Sequence, residues 1–408
     1  MRKFTTIMSL LLLFSMQIIA GGYQVGLHGI KQIGMGLVGT SLARDASTLF
    51  YNPGGLPFMT SNYSFAAGVS GIRSYTTYKK AGPSMTQETT DNPWGTPFYF
   101  YGATKINERI SAGLAINTPY GNSLSWGKEW SGRYLIQDLS LKAIFFQPSV
   151  AFKINNMIGI GAGLVYATGD FEMNKALPVY DAQGEGSINL KGSTSSFGFN
   201  AGIILKPIKN LNIGLDYRSS VDMKVKNADV TFDVPLSLQG SFPNTKVSTK
   251  LPLPANLDFG LSYNLNEKLL LAMSLNYVFW SSYDSLIFDF KDNTPSLADS
   301  RNPRLYSDKL IIRVGAEYKV CHSLDARVGG YYDPSPVNSE FFSPETPSLN
   351  SLGLTAGLSI SPNEKLSIDL SFLFISGQKS ERQYTPDNFS GTFKTYTYIP
   401  GIGLTYNF

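Results

Sequence analysis

Apolar and polar residues alternate along the chain from Asn62 to the last residue, Phe408. Successive side chains of a β-strand point to opposite faces of a sheet, so this period predicts strands with one apolar face each. We identify fourteen such segments, broken by Asn, Gly, Pro, Asp and Ser. Most are about ten residues long, which is the length that a tilted strand needs to cross a lipid bilayer.

The connections between these segments alternate between short and long. Short turns are predicted at residues 107–108, 155–156, 209–210, 266–267, 321–323 and 362–364. Long polar loops are predicted at residues 72–95, 118–137, 173–190, 226–250, 291–304, 333–347 and 378–391. Bacterial outer-membrane barrels have this asymmetry, with short turns in the periplasm and long loops outside the cell. A soluble β-sandwich, the alternative fold, would not be expected to keep it.

The sequence thus predicts an all-β protein, a fourteen-stranded antiparallel transmembrane barrel over residues 60–408. The preceding segment, residues 21–59, is rich in glycine and apolar residues, and only Lys31, Arg44 and Asp45 are charged. It has no run with the periodicity of an independent helix or strand, yet it is too apolar for a solvated tail. We expect it to fill the lumen as a plug, or hatch, with short helices. A glycine-rich leader is the alternative.

The first twenty residues, 1–20, have the composition of a secretory signal peptide. Arg2 and Lys3 form a positive n-region, Ile7–Ile19 forms an apolar core, and Ile18-Ile19-Ala20 is an imperfect cleavage site. The apolar run is too short for a membrane-spanning helix. We therefore expect a mature chain that begins near Gly21 and is exported to the outer membrane.

Composition favours a membrane barrel over a soluble protein. Aromatic residues make up 13% of the chain and charged residues 16%, although the mean hydropathy is −0.06. A barrel accommodates both values because only alternate positions face lipid, with aromatic girdles at the two interfaces. Loss of Arg2 and Lys3 lowers the formal net charge from +4 to +2, which leaves 32 of the 34 basic residues against 30 acidic ones. No basic surface for nucleic acid is predicted.

Few residues of the chain are suited to catalysis or to metal binding. The single cysteine, Cys321, has no partner for an internal disulfide, and the two histidines, His28 and His322, lie far apart in sequence. No Cys/His spacing matches a metal site. His28 belongs to the predicted plug and His322 to a predicted periplasmic turn, so neither is placed as the base of a nucleophile. The sequence favours a protein that is not an enzyme and needs no metal or cofactor.

Several short motifs follow one another in a fixed order. They are Gly21-Gly22-Tyr23-Gln24, Gly34-Met35-Gly36, Asp45-Ala46-Ser47-Thr48, Asn52-Pro53-Gly54-Gly55-Leu56, Ser131-Gly132-Arg133-Tyr134, Tyr217-Arg218-Ser219, Leu251-Pro252-Leu253-Pro254-Ala255, Trp280-Ser281-Ser282-Tyr283 and Ser335-Pro336-Val337. In these motifs and in its strand count the chain resembles the FadL family of outer-membrane transporters for long-chain fatty acids and other hydrophobic compounds. Gly54 is a departure, because that family usually has alanine after Asn-Pro.

The resemblance implies a monomeric, plugged barrel that takes up hydrophobic molecules passively. Its partners would be those molecules, outer-membrane lipid and lipopolysaccharide. Ligand would enter between the extracellular loops, occupy the lumen and leave sideways into the bilayer at a kinked strand. A diffusion porin for small polar solutes is the alternative function. A porin would need an open lumen with charged constriction residues, and the apolar segment 21–59 argues against it.

Four residues are candidates for ligand binding: Tyr23, Arg133, Lys142 and Arg218. The resemblance makes Tyr23 a ligand contact, whereas a core or girdle tyrosine is the alternative. The three basic residues either pair with a ligand carboxylate or solvate the lumen and pair with acids. Aromatic residues of the predicted loops form a capture surface, pack the loops against one another or lie at the lipopolysaccharide interface; they are Trp94, Trp126, Trp130, Phe341 and Phe342.

The plug and the third strand carry the remaining candidates. Asn52 is predicted to cap a short helical turn that begins at Pro53, and Gly54 allows a tight bend there. This plug is either static or a gate. In the third strand Gly113 and Pro119 both weaken ladder pairing, so we expect this strand to border a lateral exit. Alternatively, Gly113 only relieves crowding against the plug and Pro119 only starts a loop.

Overall fold

A computed structural model describes residues 22–82, 86–182 and 184–408 of the chain. The predicted signal peptide, residues 1–20, lies outside the described residues. The described residues form one antiparallel sheet that closes on itself as a barrel of fourteen strands, which confirms the predicted fold. Seven of the strands are interrupted and consist of two segments each.

The strands have the following bounds. The first seven are Tyr63–Ser70 with Arg73–Lys80 (β1), Gln87–Thr89 with Phe98–Lys105 (β2), Ile110–Ser125 (β3), Asp138–Lys153 (β4), Ile158–Asp181 (β5), Gly184–Ile208 (β6) and Leu211–Arg218 with Val221–Asp233 (β7). The others are Thr245–Leu253 with Asn256–Asn264 (β8), Leu269–Val278 with Ser285–Phe290 (β9), Ser300–Pro303 with Lys309–Cys321 (β10), Leu324–Asp333 (β11), Ser351–Ile360 (β12), Leu366–Gly377 with Ser380–Tyr384 (β13) and Phe389–Asn407 (β14).

Pairing between the first and last strands closes the barrel. Ser64 of β1 lies opposite Asn407 of β14, and the register continues to Ser70. Tyr63 and Phe408 exchange two backbone hydrogen bonds of 2.8 and 3.0 Å, and their rings stack with centroids 5.0 Å apart. The last residue of the chain therefore completes the wall, as a bilayer requires of a barrel.

Several strands extend further on the loop side than the sequence predicts. β5 and β6 stay paired as far as Asp181 opposite Gly184, so most of the predicted 173–190 loop is a two-stranded hairpin. β7 and β8 are paired as far as Val230 opposite Thr245, within the predicted 226–250 loop. A strand that rises beyond the bilayer meets water, so it has no need of a continuous apolar face and its sequence is more polar, like that of a loop.

The outer face of the barrel carries exposed apolar side chains at alternate positions. In β12, for example, less exposed and exposed residues alternate along Ser351–Ile360. Exposed aromatic residues occur towards both ends of the wall, among them Tyr63, Tyr406 and Phe408 on the turn side and Tyr277, Tyr396 and Tyr398 on the loop side. These positions match the aromatic girdles of a membrane barrel. Within the described residues, no helix is long and apolar enough to cross a membrane.

Residues 22–59 lie inside the barrel as the predicted plug. Their regular elements are the α-helices Ile30–Gly34 (α1) and Thr48–Tyr51 (α2) and the 3-10 helix Pro53–Phe58. Most apolar side chains of the plug are buried in one core with inward-facing residues of the wall, and Met35, Val38 and Leu42 form a smaller cluster with Leu270 and Ala272 of β9. Three more short 3-10 helices, Leu236–Leu238, Trp280–Ser282 and Thr385–Asp387, lie between or within the barrel strands.

Ion pairs fasten the plug to strands β10 to β13. Arg44 of the plug pairs with Glu317 of β10, and the same carboxylate lies 2.7 Å from Arg327 of β11. The ammonium group of Lys31 lies 3.8 Å from Asp369 of β13. Because Glu317, Arg327 and Asp369 point into the lumen, these contacts hold the plug from one side.

Candidate functional site

A chamber of about 630 Å³ lies in the lumen beside the N-terminal residues of the plug. Its apolar lining comes from both the plug and the wall and includes Val25, Leu27, Leu37, Ile144, Ile311 and Leu373. Thr346, Pro347 and Ser348 of the loop before β12 border it on the extracellular side. Ligand pockets of proteins typically have volumes of roughly 300–1,000 Å³, so the chamber is large enough for a small molecule.

A second cavity of about 100 Å³ adjoins this chamber on the side of strands β4 to β9. Its lining is almost entirely apolar and includes Leu139, Phe171, Met223, Leu251 and Leu286. Tyr120, Gly121 and Lys142 line both cavities, so this part of β3 and β4 separates them. The two cavities lie side by side in the extracellular half of the lumen, and the smaller one is the more apolar.

The main chamber reaches an interruption in the barrel wall between β2 and β3. Their ladder ends where Tyr99 lies opposite Asn117. Towards the loops, a backbone hydrogen bond of 2.9 Å from Asp91 to Ser125 joins them again. The edges between these points, residues 92–98 and 120–124, both line the chamber. Trp94 lies at this wall gap with 58% of its surface exposed.

The N-terminal residues of the plug pair with the edge of β3 that β2 leaves free. Gln24 forms an isolated antiparallel bridge with Tyr120. The N–H of Val25 donates to the carbonyl of Pro119 at 2.8 Å, and the N–H of Gly121 donates to the carbonyl of Tyr23 at 3.1 Å. The plug thus supplies a short substitute strand where the wall is interrupted.

Of the two residues proposed for the lateral exit, only Pro119 lies at the interruption. The pairing of β3 with β4 shifts register between Asn117 and Tyr120, so a bulge contains Pro119. Gly113 lies in regular ladders with both neighbouring strands. A Cβ atom there would lie 2.5 Å from the carbonyl oxygen of Gly102 in β2 and 2.9 Å from a methyl group of Leu49 in the plug, so Gly113 relieves crowding against both the wall and the plug.

Tyr23 is buried between the two cavities, and it lines the smaller one. Its ring lies edge-on to Trp280 and Tyr283, with centroids 5.0 and 5.9 Å away, and its hydroxyl donates to the carbonyl of Pro252. The side chain therefore has both an apolar face towards the cavity and a satisfied polar end.

The basic candidates occupy three different environments. Lys142 lines both cavities. Arg133 lies in the loop before β4 and pairs with Glu185 at 2.8 Å, away from both cavities. Arg218 is buried, and its guanidinium donates to the side chain of Gln147 and to the carbonyl of Phe50, each at 2.8 Å. Arg218 is thus engaged in holding α2 of the plug.

Arg313 is a basic lumen residue that the sequence analysis missed. It lines the main chamber and also a polar cavity of about 40 Å³ beneath it, which contains Asp258 and Asn276. One guanidinium nitrogen donates to Asn276 at 3.3 Å, another lies 4.0 Å from Asp258, and Nε is buried with no hydrogen-bond partner among the described residues. The alternation along β10 indicates that Arg313 faces the lumen, but nothing in the sequence places the chamber there.

The predicted turn of the plug has a local explanation. The Asn52 side chain accepts a hydrogen bond from the N–H of Gly54 at 3.1 Å, which is the expected cap, and it donates to the carbonyls of Thr40 and Ile203, each at 3.0 Å. Pro53 begins the 3-10 helix. A Cβ atom on Gly54 would lie 2.6 Å from the carbonyl oxygen of Gly202, so this chain has no room for an alanine there without a shift of backbone.

Loop residues pack against one another at the extracellular end of the barrel. Trp126 and Trp130 stack with centroids 4.3 Å apart, and they are buried in one apolar cluster with Phe342. Glu345, in the loop before β12, lies 2.7 Å from the buried Arg304. Three of the five loop aromatics thus pack the loops together, Phe341 is partly buried, and Trp94 lies at the wall gap.

Among the described residues, no group of three or more His, Cys, Asp or Glu side chains is placed to hold a metal ion.

The class of protein that this structure indicates is a membrane transport channel, because a plugged barrel with lipid-facing girdles encloses a chamber large enough for a small molecule. Residues 11–408 match the family described as outer membrane protein transport protein (OMPP1/FadL/TodX), and the chain belongs to that family. It is therefore an outer-membrane protein, as the sequence predicted, and its family is one of transport channels rather than enzymes.

Relatives cover nearly the whole chain. It is 24% identical to the long-chain fatty acid transport protein of Escherichia coli K12, over 97% of this chain and 96% of the relative. It is 22% identical to outer membrane protein P1 of Haemophilus influenzae, over 86% and 82% of the two chains. Among solved structures, a Pseudomonas aeruginosa FadL homologue has a TM-score of 0.84 at 20% identity, over 95% of this chain and all of the other. The Pseudomonas putida toluene transporter TodX has a TM-score of 0.71 at 15% identity, over 96% and 99% of the chains.

Proposed function

We propose that this protein takes up hydrophobic molecules passively and that its cargo leaves the lumen sideways, through the wall gap between β2 and β3. The observation that carries the proposal is the continuity of the chamber with that gap, since residues 92–98 and 120–124 line both. Cargo in the chamber is therefore close to the lipid outside the wall.

Solvation energetics favour this route over release into the periplasm. Each CH₂ group that moves from water into an apolar environment gains about 0.8 kcal/mol. A saturated chain of about sixteen carbons would therefore lose on the order of ten kcal/mol as a free periplasmic solute. Release into the bilayer avoids that cost. We propose that the plug also blocks the direct way down, because residues 53–58 pack against strands β2 to β6 on the periplasmic side.

The proposed path runs from the loops through the smaller cavity into the chamber. Tyr23, Tyr120 and Lys142 lie at the junction, so cargo would pass these side chains. The path ends where Gln24 is bridged to Tyr120 beside the wall gap. We propose that this tail of the plug moves when cargo leaves and that the anchored remainder of the plug stays in place.

The cargo that fits best is a long-chain fatty acid. Relatives are named for long-chain fatty acids or for toluene, so the family offers both cargo classes. Arg313 favours the first class, because its Nε has no hydrogen-bond partner among the described residues and its side chain borders the chamber, where it suits a carboxylate head group while the apolar part of the lining suits the tail. Aromatic hydrocarbons are the second candidate, supported by the almost wholly apolar smaller cavity.

We further propose that one chain is the transport unit, with its girdles in contact with outer-membrane lipid and lipopolysaccharide, and that no step involves catalysis. The experiment that tests the function is uptake by a deletion strain supplied with this gene. Radiolabelled palmitate, toluene and a small sugar are offered separately. We expect palmitate uptake to depend on the gene and sugar uptake not to. Gene-dependent sugar uptake without any apolar uptake would favour a porin and contradict the proposal.

A further inference from the structure

Three lysines lie close together at the periplasmic mouth of the barrel, two of them against Phe58 near the end of the plug. Lys105, Lys153 and Lys206 lie near the turn-side ends of β2, β4 and β6. Each shares the inward-facing register of a buried residue two positions earlier: Ala103, Ala151 and Ile204, respectively. The ammonium groups of Lys206 and Lys153 lie 4.4 and 5.7 Å from the ring centroid of Phe58. We call these three residues the lysine triad.

The triad is a concentration of positive charge without an acidic partner. No acidic side chain of the described residues lies within ion-pair distance of these three ammonium groups. The charge of Lys153 acts on both Lys105 and Lys206. On the other side of the plug, Arg44 and Arg327 share Glu317. Like charges that are partly buried repel one another more strongly than charges in bulk water, so the triad favours an anion that neutralises it.

The direction of the side chains indicates where that anion comes from. The lysines face the lumen, so the phosphate groups of lipids around the barrel lie on the other side of the wall. Plug residues Pro53–Phe58 lie above them towards the loops. The periplasm is the remaining source.

We propose that the lysine triad is an anion site on the periplasmic mouth, which takes a carboxylate or phosphate group presented from the periplasm. Each lysine offers three N–H donors, and lysine binds such groups as a point charge. The ring of Phe58 gives the ammonium groups a weaker contact in the absence of an anion. The site is separate from the proposed cargo path, so its loss would leave the assignment of uptake untouched.

The test uses the full-length mature protein in detergent micelles with Phe58→Trp as a fluorescent reporter. Inorganic phosphate, free glutamate and a glutamate-rich peptide are titrated at constant ionic strength, with sodium chloride as the balance. We expect saturable changes in emission, from which an affinity for each anion is obtained. This affinity should be at least tenfold weaker in a K153Q/K206Q double variant. It should be unchanged in K319Q, which removes a lysine from the end of β10 at the same mouth. Tighter binding of the peptide than of glutamate identifies an acidic protein segment as the source; equal binding identifies a small anion.

Two results would overturn the site: no saturable response to any of the three anions, or an equal response in the K153Q/K206Q variant. Folding of each variant is checked by its heat-modifiable migration in gels. If the double variant does not fold, the single variants K105Q and K206Q replace it, each with an expected weakening of several-fold, and unchanged affinity in both would contradict the proposal.

Discussion

Gln24 of the plug is bridged to Tyr120 of β3, at the point where β3 has lost its pairing with β2. The plug is therefore part of the barrel wall at this point as well as the filling of the lumen. Tyr120 also donates its hydroxyl hydrogen to the carbonyl of Pro254, between the two segments of β8, at 3.1 Å. Gln24 and Tyr120 therefore lie beside the wall gap, line the chamber and contact the opposite side of the barrel.

A disulfide across this bridge should stop uptake. Directly opposed residues of an antiparallel pair have Cβ atoms about 4.5–5.5 Å apart, which is close to disulfide geometry. In a Q24C/Y120C variant with Cys321→Ser, we expect oxidation to fix the tail and abolish palmitate uptake, and reduction to restore it. Uptake that is equal in the oxidised and reduced forms would show that the tail does not move during transport.

Replacement of Gly54 by alanine should destabilise the protein. The added Cβ would lie 2.6 Å from the carbonyl oxygen of Gly202, and backbone must shift to relieve that contact. Overpacking of this kind costs roughly 1–3 kcal/mol, and we expect a lower thermal unfolding midpoint. Gly240→Ala is the matched control, because nothing lies within 4 Å of a Cβ at that position. Equal midpoints for the two variants would contradict the packing argument.

Asn52→Ala should loosen the lower part of the plug. The substitution removes a cap and leaves the carbonyls of Thr40, which is buried, and Ile203, which is partly buried, without this donor, which costs about 1–3 kcal/mol. We expect a higher ion conductance in planar bilayers, since the lumen is then less completely filled. Asn156→Ala, in an exposed turn, is the control. Unchanged conductance in Asn52→Ala would show that the remaining contacts hold the plug alone.

Arg313→Gln should separate the two cargo classes. Loss of a charged hydrogen-bond donor costs about 1.5–3 kcal/mol, which corresponds to roughly a tenfold or greater loss of affinity for a fatty acid. Toluene has no head group, so its uptake should not change. Direct binding of palmitate to the purified variant measures the effect, with Lys319→Gln as control. Equal palmitate affinity in Arg313→Gln and the wild type would remove Arg313 from the site.

Sequence alternation was sufficient to predict the wall, because the period of a strand and the thickness of a bilayer constrain each membrane segment independently. The same reasoning failed for β5 and β6 beyond the bilayer, where no lipid selects apolar residues. It also predicted the plug, since an apolar glycine-rich segment needs an enclosure. The turn at Asn52 could be predicted because its cap depends only on residues that are neighbours in the sequence.

The site was harder to predict because it depends on contacts between distant segments. Arg218 and Arg313 both have an inward-facing register in their strands. Arg218 holds the plug through Phe50 and Gln147, whereas Arg313 borders the chamber. That difference depends on the path of the plug, which strand periodicity does not specify. Similarly, both Gly113 and Pro119 weaken pairing in principle, but only Pro119 lies where β2 diverges.

The most direct test of lateral release is to cross-link the two edges of the wall gap. Cysteines at Thr96 and Ser123, on its two edges, are joined in a Cys321→Ser background by a short reducible bis-thiol linker. The same linker across the regular ladder at Ala356 and Phe372 is the control. We predict that the cross-link at the wall gap blocks palmitate uptake until it is reduced, and that the control cross-link does not. Full uptake by protein that is completely cross-linked at the wall gap would contradict lateral release.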